Sequence, residues 1–88
     1  MSSDIEKARV MFKLVRKRNW GSKYDRLEHF KRFQKIDQII DELTDKEWII
    51  IHKKPGFTGI SLNTVYKTQI KEFTEKYMPY LKGMNWIT

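Results

Sequence analysis

The sequence predicts an α+β domain in which three helices come first, a two-stranded β-hairpin follows, and a further helix comes last. Two observations carry this prediction. Between residues 36 and 43, isoleucine and leucine recur at offsets 0, 3, 4 and 7, the spacing of one buried helix face. The run Trp48–Ile51 is then rich in β-branched and aromatic side chains, and Pro55-Gly56 suits the centre of a type II turn. We expect residues 1–88 to form a single domain of this kind.

The first helix is predicted to begin at Ser3, whose side chain can form a capping box with Glu6. It should end near Arg16-Lys17-Arg18, where positive charge suits the C-terminal end of the helix dipole. Val10 and Leu14 point away from the main apolar stripe, so both faces of this helix need a covering element. The main stripe, which we expect to be buried, consists of Ile5, Ala8, Met11, Phe12 and Val15.

Two helices separated by a few residues predict a helix-turn-helix at about residues 25–46. The second of these is the helix with the regular apolar spacing. The first is short and is predicted from a capping box of Asp25 with Glu28, from Leu27 and Phe30 as its apolar residues, and from an end around Arg32-Phe33.

The hairpin should span about residues 48–62, and the C-terminal helix about residues 64–78. Asn63 or Thr64 can cap that helix, and Pro79 should end or kink it because proline cannot donate to the helical ladder. A helical bundle with an incidental hairpin is the alternative, but the apolar strand and its turn argue against it.

The segment Ile36–Leu43 followed by Trp48-Ile49 resembles the recognition helix and first wing strand of the winged helix-turn-helix superfamily. There, apolar residues recur at offsets 0, 4 and 7, and a Gly-Leu-Ile-like step follows at offsets 11 to 13. The corresponding step here is Glu47-Trp48-Ile49, so Glu47 replaces the usual glycine and the helix must end differently. The resemblance implies a three-helix core with a two-stranded wing and a C-terminal helix. It also implies binding of double-stranded DNA, with the third helix in the major groove and the wing along the backbone.

The net charge of +7 is distributed unevenly. Residues 1–35 carry 11 basic and 4 acidic side chains, residues 36–51 carry 1 and 5, and residues 52–88 carry 6 and 2. A positive field attracts nucleic acid first, an anionic membrane surface second and an acidic protein third. A solvated lysine-rich surface is the alternative that charge by itself leaves open.

Basic side chains are candidates for contact with DNA phosphates, and a few polar side chains at the start of the third helix are candidates for contact with bases. Tyr24 and Phe57 could stack on a base or sugar, or pack within the domain, whereas Trp20 and Trp48 are predicted core residues. Asp41 and Asp45 lie on the outward face of the third helix and would repel phosphates. The predicted phosphate contacts are Lys23, Arg26, Lys31 and Arg32 around the second helix and His52, Lys53 and Lys54 at the wing, and the predicted base contacts are Gln34, Lys35 and Gln38.

The leading functional prediction is a DNA-binding transcriptional regulator or nucleoid-associated protein. The alternatives are a docking domain whose acidic Asp37–Glu47 strip meets a basic protein, and a binder of structured RNA. We expect neither enzymatic activity nor a cofactor, because no glycine-rich phosphate loop or nucleophile with a base is visible. A metal site is not expected either, since cysteine is absent and His29 and His52 lack carboxylate companions at ligand spacing.

A cytoplasmic protein without a membrane segment is expected, because no targeting signal is visible and the longest apolar run is Trp48–Ile51. The C-terminal helix carries a short seam with heptad-like spacing. That seam could form a homodimer, or it could pack against Val10 and Leu14 of the same chain. Its residues are Tyr66, Ile70, Phe73 and Tyr77, followed by Tyr80 and Met84.

Overall fold

The computed structural model describes residues 3–87 and has an α+β fold, which confirms the predicted class. Three strands form one antiparallel sheet in the order β1-β3-β2. The regular elements are α1 (Asp4–Arg16), β1 (Asp25–Arg26), α2 (Ile36–Asp45), β2 (Ile49–Lys54), β3 (Phe57–Leu62) and α3 (Lys67–Tyr77), with 3₁₀ helices at Leu27–Phe30, Thr64–Tyr66 and Pro79–Leu81. None of the helices within residues 3–87 is long and apolar enough to cross a bilayer.

The first helix begins and ends where the sequence predicts. The Ser3 side chain accepts a hydrogen bond from the Glu6 amide at 3.3 Å, and the last helical residue is Arg16. Both apolar faces are buried, since Val10 and Leu14 are as inaccessible as the main stripe. Two residues of the predicted stripe are exceptions: Ile5 is 46% exposed, and Phe12 is only partly buried.

The predicted second helix is wrong at both ends, since it begins after Arg26 and ends at Phe30, before Arg32-Phe33. Asp25 and Arg26 pair with β3 as a short strand, so the chain is extended there, and only Leu27–Phe30 form a 3₁₀ helix. The capping box of Asp25 with Glu28 does not form, because Asp25 accepts hydrogen bonds from Lys17, His29 and the Arg26 amide. Local sequence favoured a helix start, but strand pairing with a distant segment prevailed.

The third predicted helix and the hairpin are confirmed. In α2, Ile39, Ile40 and Leu43 are buried, and Gly56 in the hairpin turn has φ +84°, as a type II turn requires. Glu47 has φ +64°, a left-handed conformation that favours glycine. Its carbonyl accepts from Asn63 Nδ2 at 2.9 Å and its carboxylate from the Tyr66 hydroxyl at 3.1 Å, which holds this conformation in place.

The C-terminal helix packs within its own chain. Asn63 caps the 3₁₀ turn that leads into α3, and the helix ends at Tyr77, before Met78-Pro79. Ile70 is fully buried in the core, Phe73 meets Trp48 edge-on with ring centroids 5.4 Å apart, and Tyr77 donates to Asp4 at 3.0 Å. Intramolecular packing therefore uses most of the predicted seam, and homodimerisation remains a prediction. The seam residues left exposed are Tyr80 and Met84.

A buried lysine joins α1 to α2. Lys7 Nζ lies 2.6 Å from Glu42 Oε1 and 3.3 Å from Asp4 Oδ1. Burial disfavours its charged form, but hydrogen bonds to the two carboxylates outweigh that effect and raise the pKa of Lys7. The Tyr77 hydroxyl, followed by Lys7, lowers the pKa of Asp4. The first turn of α1 is thus fastened to α2 and α3 by charged hydrogen bonds.

Candidate nucleic-acid interface

Strand pairing brings two predicted phosphate-binding regions together at the hairpin. The Arg26 guanidinium carbon lies 4.3 Å from the centroid of the Phe57 ring, and Lys54 Nζ lies 5.3 Å from that of Tyr24. Lys31 lines a depression of about 200 Å³ together with Phe57. We call this surface the hairpin patch, and it consists of Tyr24, Arg26, Lys31, Lys54 and Phe57. Lys53 is exposed on the opposite face of β2, because side chains alternate along a strand.

Aromatic packing holds the hairpin patch against the sheet. The Tyr24 ring stacks on His52 with centroids 4.9 Å apart and lies 6.0 Å from Phe57. A Cβ atom at Gly59 would lie 2.5 Å from Tyr24 Cδ1, so only glycine lets the ring approach β3 this closely. Both aromatic residues pack within the domain. Trp20 and Trp48 are partly buried against the core, as predicted.

His52 is anchored in the sheet by a hydrogen-bond chain. The buried Ser61 hydroxyl donates to the Gly21 carbonyl at 2.7 Å, and His52 Nε2 lies 2.9 Å from Ser61 Oγ. Because the hydroxyl proton is used on the carbonyl, Nε2 is the donor to Ser61. The His52 ring is therefore fixed in orientation, and Nδ1 is its other polar atom.

The predicted base-contacting residues lie at the start of α2. Gln34, Lys35 and Gln38 are all exposed, and Lys35 is the N-cap residue, with φ +57°. The outward face of the same helix is acidic from its first turn onward. Asp37, Asp41 and Asp45 are exposed and form no ion pair with any residue in 3–87. Lys23 lies exposed in the loop after α1, outside the contacts that join the hairpin patch.

A basic groove on α1 was not predicted from the sequence. It has a volume of about 530 Å³, and Arg32 is its only member among the predicted phosphate contacts. A sequence signal did exist: Arg9, Lys13 and Arg16 recur at offsets 0, 4 and 7, the spacing of one helix face. The residues that line this α1 groove are Arg9, Phe12, Lys13, Arg16, Lys17, Arg32 and Phe33.

Two of the five cations in the α1 groove have acidic partners and three do not. Arg9 pairs with Glu6 at 2.7 Å, and Lys17 pairs with Asp25 at 3.0 Å. Within residues 3–87, no carboxylate pairs with the remaining three. Burial, and then the charges of Arg32 and Lys17, lower the pKa of Lys13. The three cations without an acidic partner are Lys13, Arg16 and Arg32.

Asp25 forms an ion pair with Lys17 of the α1 groove and directly precedes Arg26 of the hairpin patch in sequence. Its carboxylate accepts from Lys17 at 3.0 Å and from His29 Nδ1 at 2.7 Å, and it precedes Arg26 in β1. Burial would raise the pKa of Asp25, but these hydrogen bonds outweigh it and lower the pKa. His29 thus has a carboxylate companion, contrary to expectation. No group of three or more potential metal-binding side chains occurs in residues 3–87.

The chain was also compared with known proteins. Neither the protein-family models, nor the curated proteins, nor the solved structures contain a match to it.

Proposed function

We propose that this chain is a double-stranded DNA-binding protein of winged helix-turn-helix architecture, acting as a small transcriptional regulator or nucleoid-associated protein. The observation that carries the proposal is the hairpin patch. Side chains from the segment before α2 and from the hairpin tip, far apart in sequence, form one surface there with three cations, of which Arg26 pairs with Glu28 at 3.1 Å. A surface of this kind can contact successive phosphates of a duplex.

The order of elements supports the architectural part of the proposal. A helix, a short strand, a short helix and α2 precede a hairpin whose second strand lies at the centre of the sheet. The left-handed Glu47 occupies the position where the winged-helix pattern carries glycine, so the backbone turns there as a glycine would allow. In this reading, β2 and β3 form the wing.

The charge distribution favours a grip on the DNA backbone over insertion of the whole of α2. Gln34, Lys35 and Gln38 at the start of α2 have the chemistry to contact base edges. Asp41 and Asp45 lie one and two turns further along and would repel phosphates at close range. Only the first turn of α2, which carries one exposed carboxylate at Asp37, would therefore approach the bases, with the cations of the hairpin patch fixing its position.

Fluorescence anisotropy with a mixed-sequence duplex, measured at several salt concentrations, tests the proposal. Four to six phosphate contacts predict a slope of log K against log salt of about −4 to −5. Lys53→Ala with Lys54→Ala should make that slope shallower by about 2. The matched control, Lys76→Ala with Lys82→Ala, removes the same charge far along the chain. Failure of the wild type to bind at low salt would sink the proposal, as would equal behaviour of the two variants.

The exposed acidic face of α2 supports a second candidate function, docking to a basic protein. Its carboxylates at Asp37, Asp41 and Asp45 are free of ion pairs within the described residues. Charge reversal by Asp41→Lys with Asp45→Lys should then abolish capture of the basic partner in a pull-down, while duplex affinity stays equal or rises. Structured RNA is distinguished by competition, because duplex RNA would then displace bound DNA at equal or lower concentration.

A further inference from the structure

We infer that the α1 groove is a second binding site for the phosphodiester backbone of DNA. This inference rests on the proposed function and extends the contact surface to a helix that the winged-helix resemblance does not assign to DNA. Its occupant is a strand of the duplex backbone. Five cations line the groove, and three of them have no acidic partner in residues 3–87.

The unpaired cations are held over aromatic rings. Lys13 Nζ lies 4.3 Å from the Phe30 centroid, and it also donates to the His29 carbonyl at 2.7 Å. The guanidinium carbons of Arg16 and Arg32 lie 5.8 and 5.6 Å from the Phe12 and Phe33 centroids, in that order. Cation–π contacts of this length orient a charged group, and an apolar floor strengthens its attraction for an anion.

The arrangement suits a chain of phosphates. Arg9, Lys13 and Arg16 lie on one face of α1 and extend over about 10 Å of helix axis. A DNA strand repeats its negative charge along its length, so several phosphates can be neutralised together. Arginine offers a planar pair of donors that matches two phosphate oxygens, and two of the three unpaired cations are arginines.

The α1 groove ends at residues that neighbour both parts of the proposed DNA interface. At one end, Lys17 pairs with Asp25, the residue before Arg26 of the hairpin patch. At the other end, a second depression of about 460 Å³ shares Arg32 with the groove and reaches Gln34, just before α2. The α1 groove therefore lies between the two parts of the proposed interface, with the carboxylates of Asp25 and Glu6 at its two ends.

Arg16→Gln with Arg32→Gln tests the inference, because both side chains are exposed and the fold should tolerate the change. Two lost phosphate contacts should make the slope of log K against log salt shallower by about 1.8 and weaken duplex binding tenfold or more near 0.1 M salt. The matched control is Lys76→Gln with Lys82→Gln, which should change affinity by about twofold or less. Thermal unfolding of all variants checks that the fold is retained.

The outcomes separate this inference from the proposed function. If wild type binds duplex but the groove variant behaves like its control, the groove inference is overturned and the proposed function stands. If wild type does not bind duplex, both are overturned. Titration with inorganic pyrophosphate should shift the amide resonances of residues 9–17 if the groove binds phosphate groups, and no shift there would contradict the inference. Loss of self-association in sedimentation velocity, with duplex affinity unchanged, would assign the groove to the acidic face of a second copy.

Discussion

The two helices α1 and α2 present opposite chemistry to solvent. α1 is buried on two apolar faces, and its remaining side carries the cations of the α1 groove. α2 is buried on one face and exposes three carboxylates on the other. The helix that the sequence pattern marks as the DNA reader is thus the acidic one, and the helix expected only to support the core is the basic one.

This difference shows that helix order and surface charge are separate sources of information about function. Helix order follows from apolar spacing, because apolar faces must be buried whatever the protein binds. The surface that attracts a polyanion follows from where unpaired cations accumulate. In this chain the apolar spacing indicates α2 as the DNA-contacting helix, whereas the unpaired cations indicate α1. The contacts of α1 and α2 with DNA can therefore be tested separately.

The largest expected effect is on the burial of α1. Leu14 belongs to the second apolar face and is fully buried, so Leu14→Ala should lower the free energy of unfolding by about 3 kcal/mol. Urea denaturation followed by circular dichroism measures the change. Val65→Ala is the control, since Val65 is 77% exposed and its loss should cost about 0.5 kcal/mol or less. A loss below about 1 kcal/mol for Leu14→Ala would contradict the two-faced burial of α1.

A smaller effect is expected from Asp25, which ties α1 to β1. Its folded-state pKa is lowered, so its stabilisation is present above the unfolded-state pKa of about 3.9 and is lost as the pH falls through the folded-state value. Asp25→Asn should cost about 1–2 kcal/mol at pH 7 and less in acid. Urea midpoints at neutral and acidic pH measure this. The exposed Asp37→Asn is the control, and an equal pH dependence of Asp25→Asn and wild type would contradict the prediction.

The smallest effect is expected on the acidic face of α2. Asp41→Asn with Asp45→Asn should change duplex affinity by about threefold or less, because these carboxylates lie beyond the first turn and solvent screens them. Anisotropy titration measures the change beside the Arg16→Gln, Arg32→Gln variant. A gain as large as the loss in that variant would mean that the whole of α2 enters the groove of the DNA.

Much of the fold could be predicted because the decisive patterns are local. The apolar spacing of Ile36–Leu43 and the turn at Pro55-Gly56 fixed α2 and the hairpin within a few residues. The second helix could not be predicted, because Asp25-Arg26 becomes a strand only through pairing with Ile60 and Gly59, more than thirty residues away. The apolar seam of α3 likewise had a clear sequence pattern. The pattern did not show which element the seam packs against, because that depends on the tertiary structure.

The features of the candidate site also divide into those that the sequence determines and those that the tertiary structure determines. By itself, the sequence determined which side chains are cationic, which helix faces are apolar and where the acidic strip lies, since residue type and helical spacing are local properties. Only the tertiary structure decided that Arg26 packs on the Phe57 ring and that Lys17 forms an ion pair with Asp25. It also decided that Arg32 lies in one groove with Lys13 and Arg16, none of which has an acidic partner in residues 3–87. The physical reason is that the attraction of a charged side chain for a ligand depends on the charges beside it. Folding brings those neighbouring charges together from different parts of the chain.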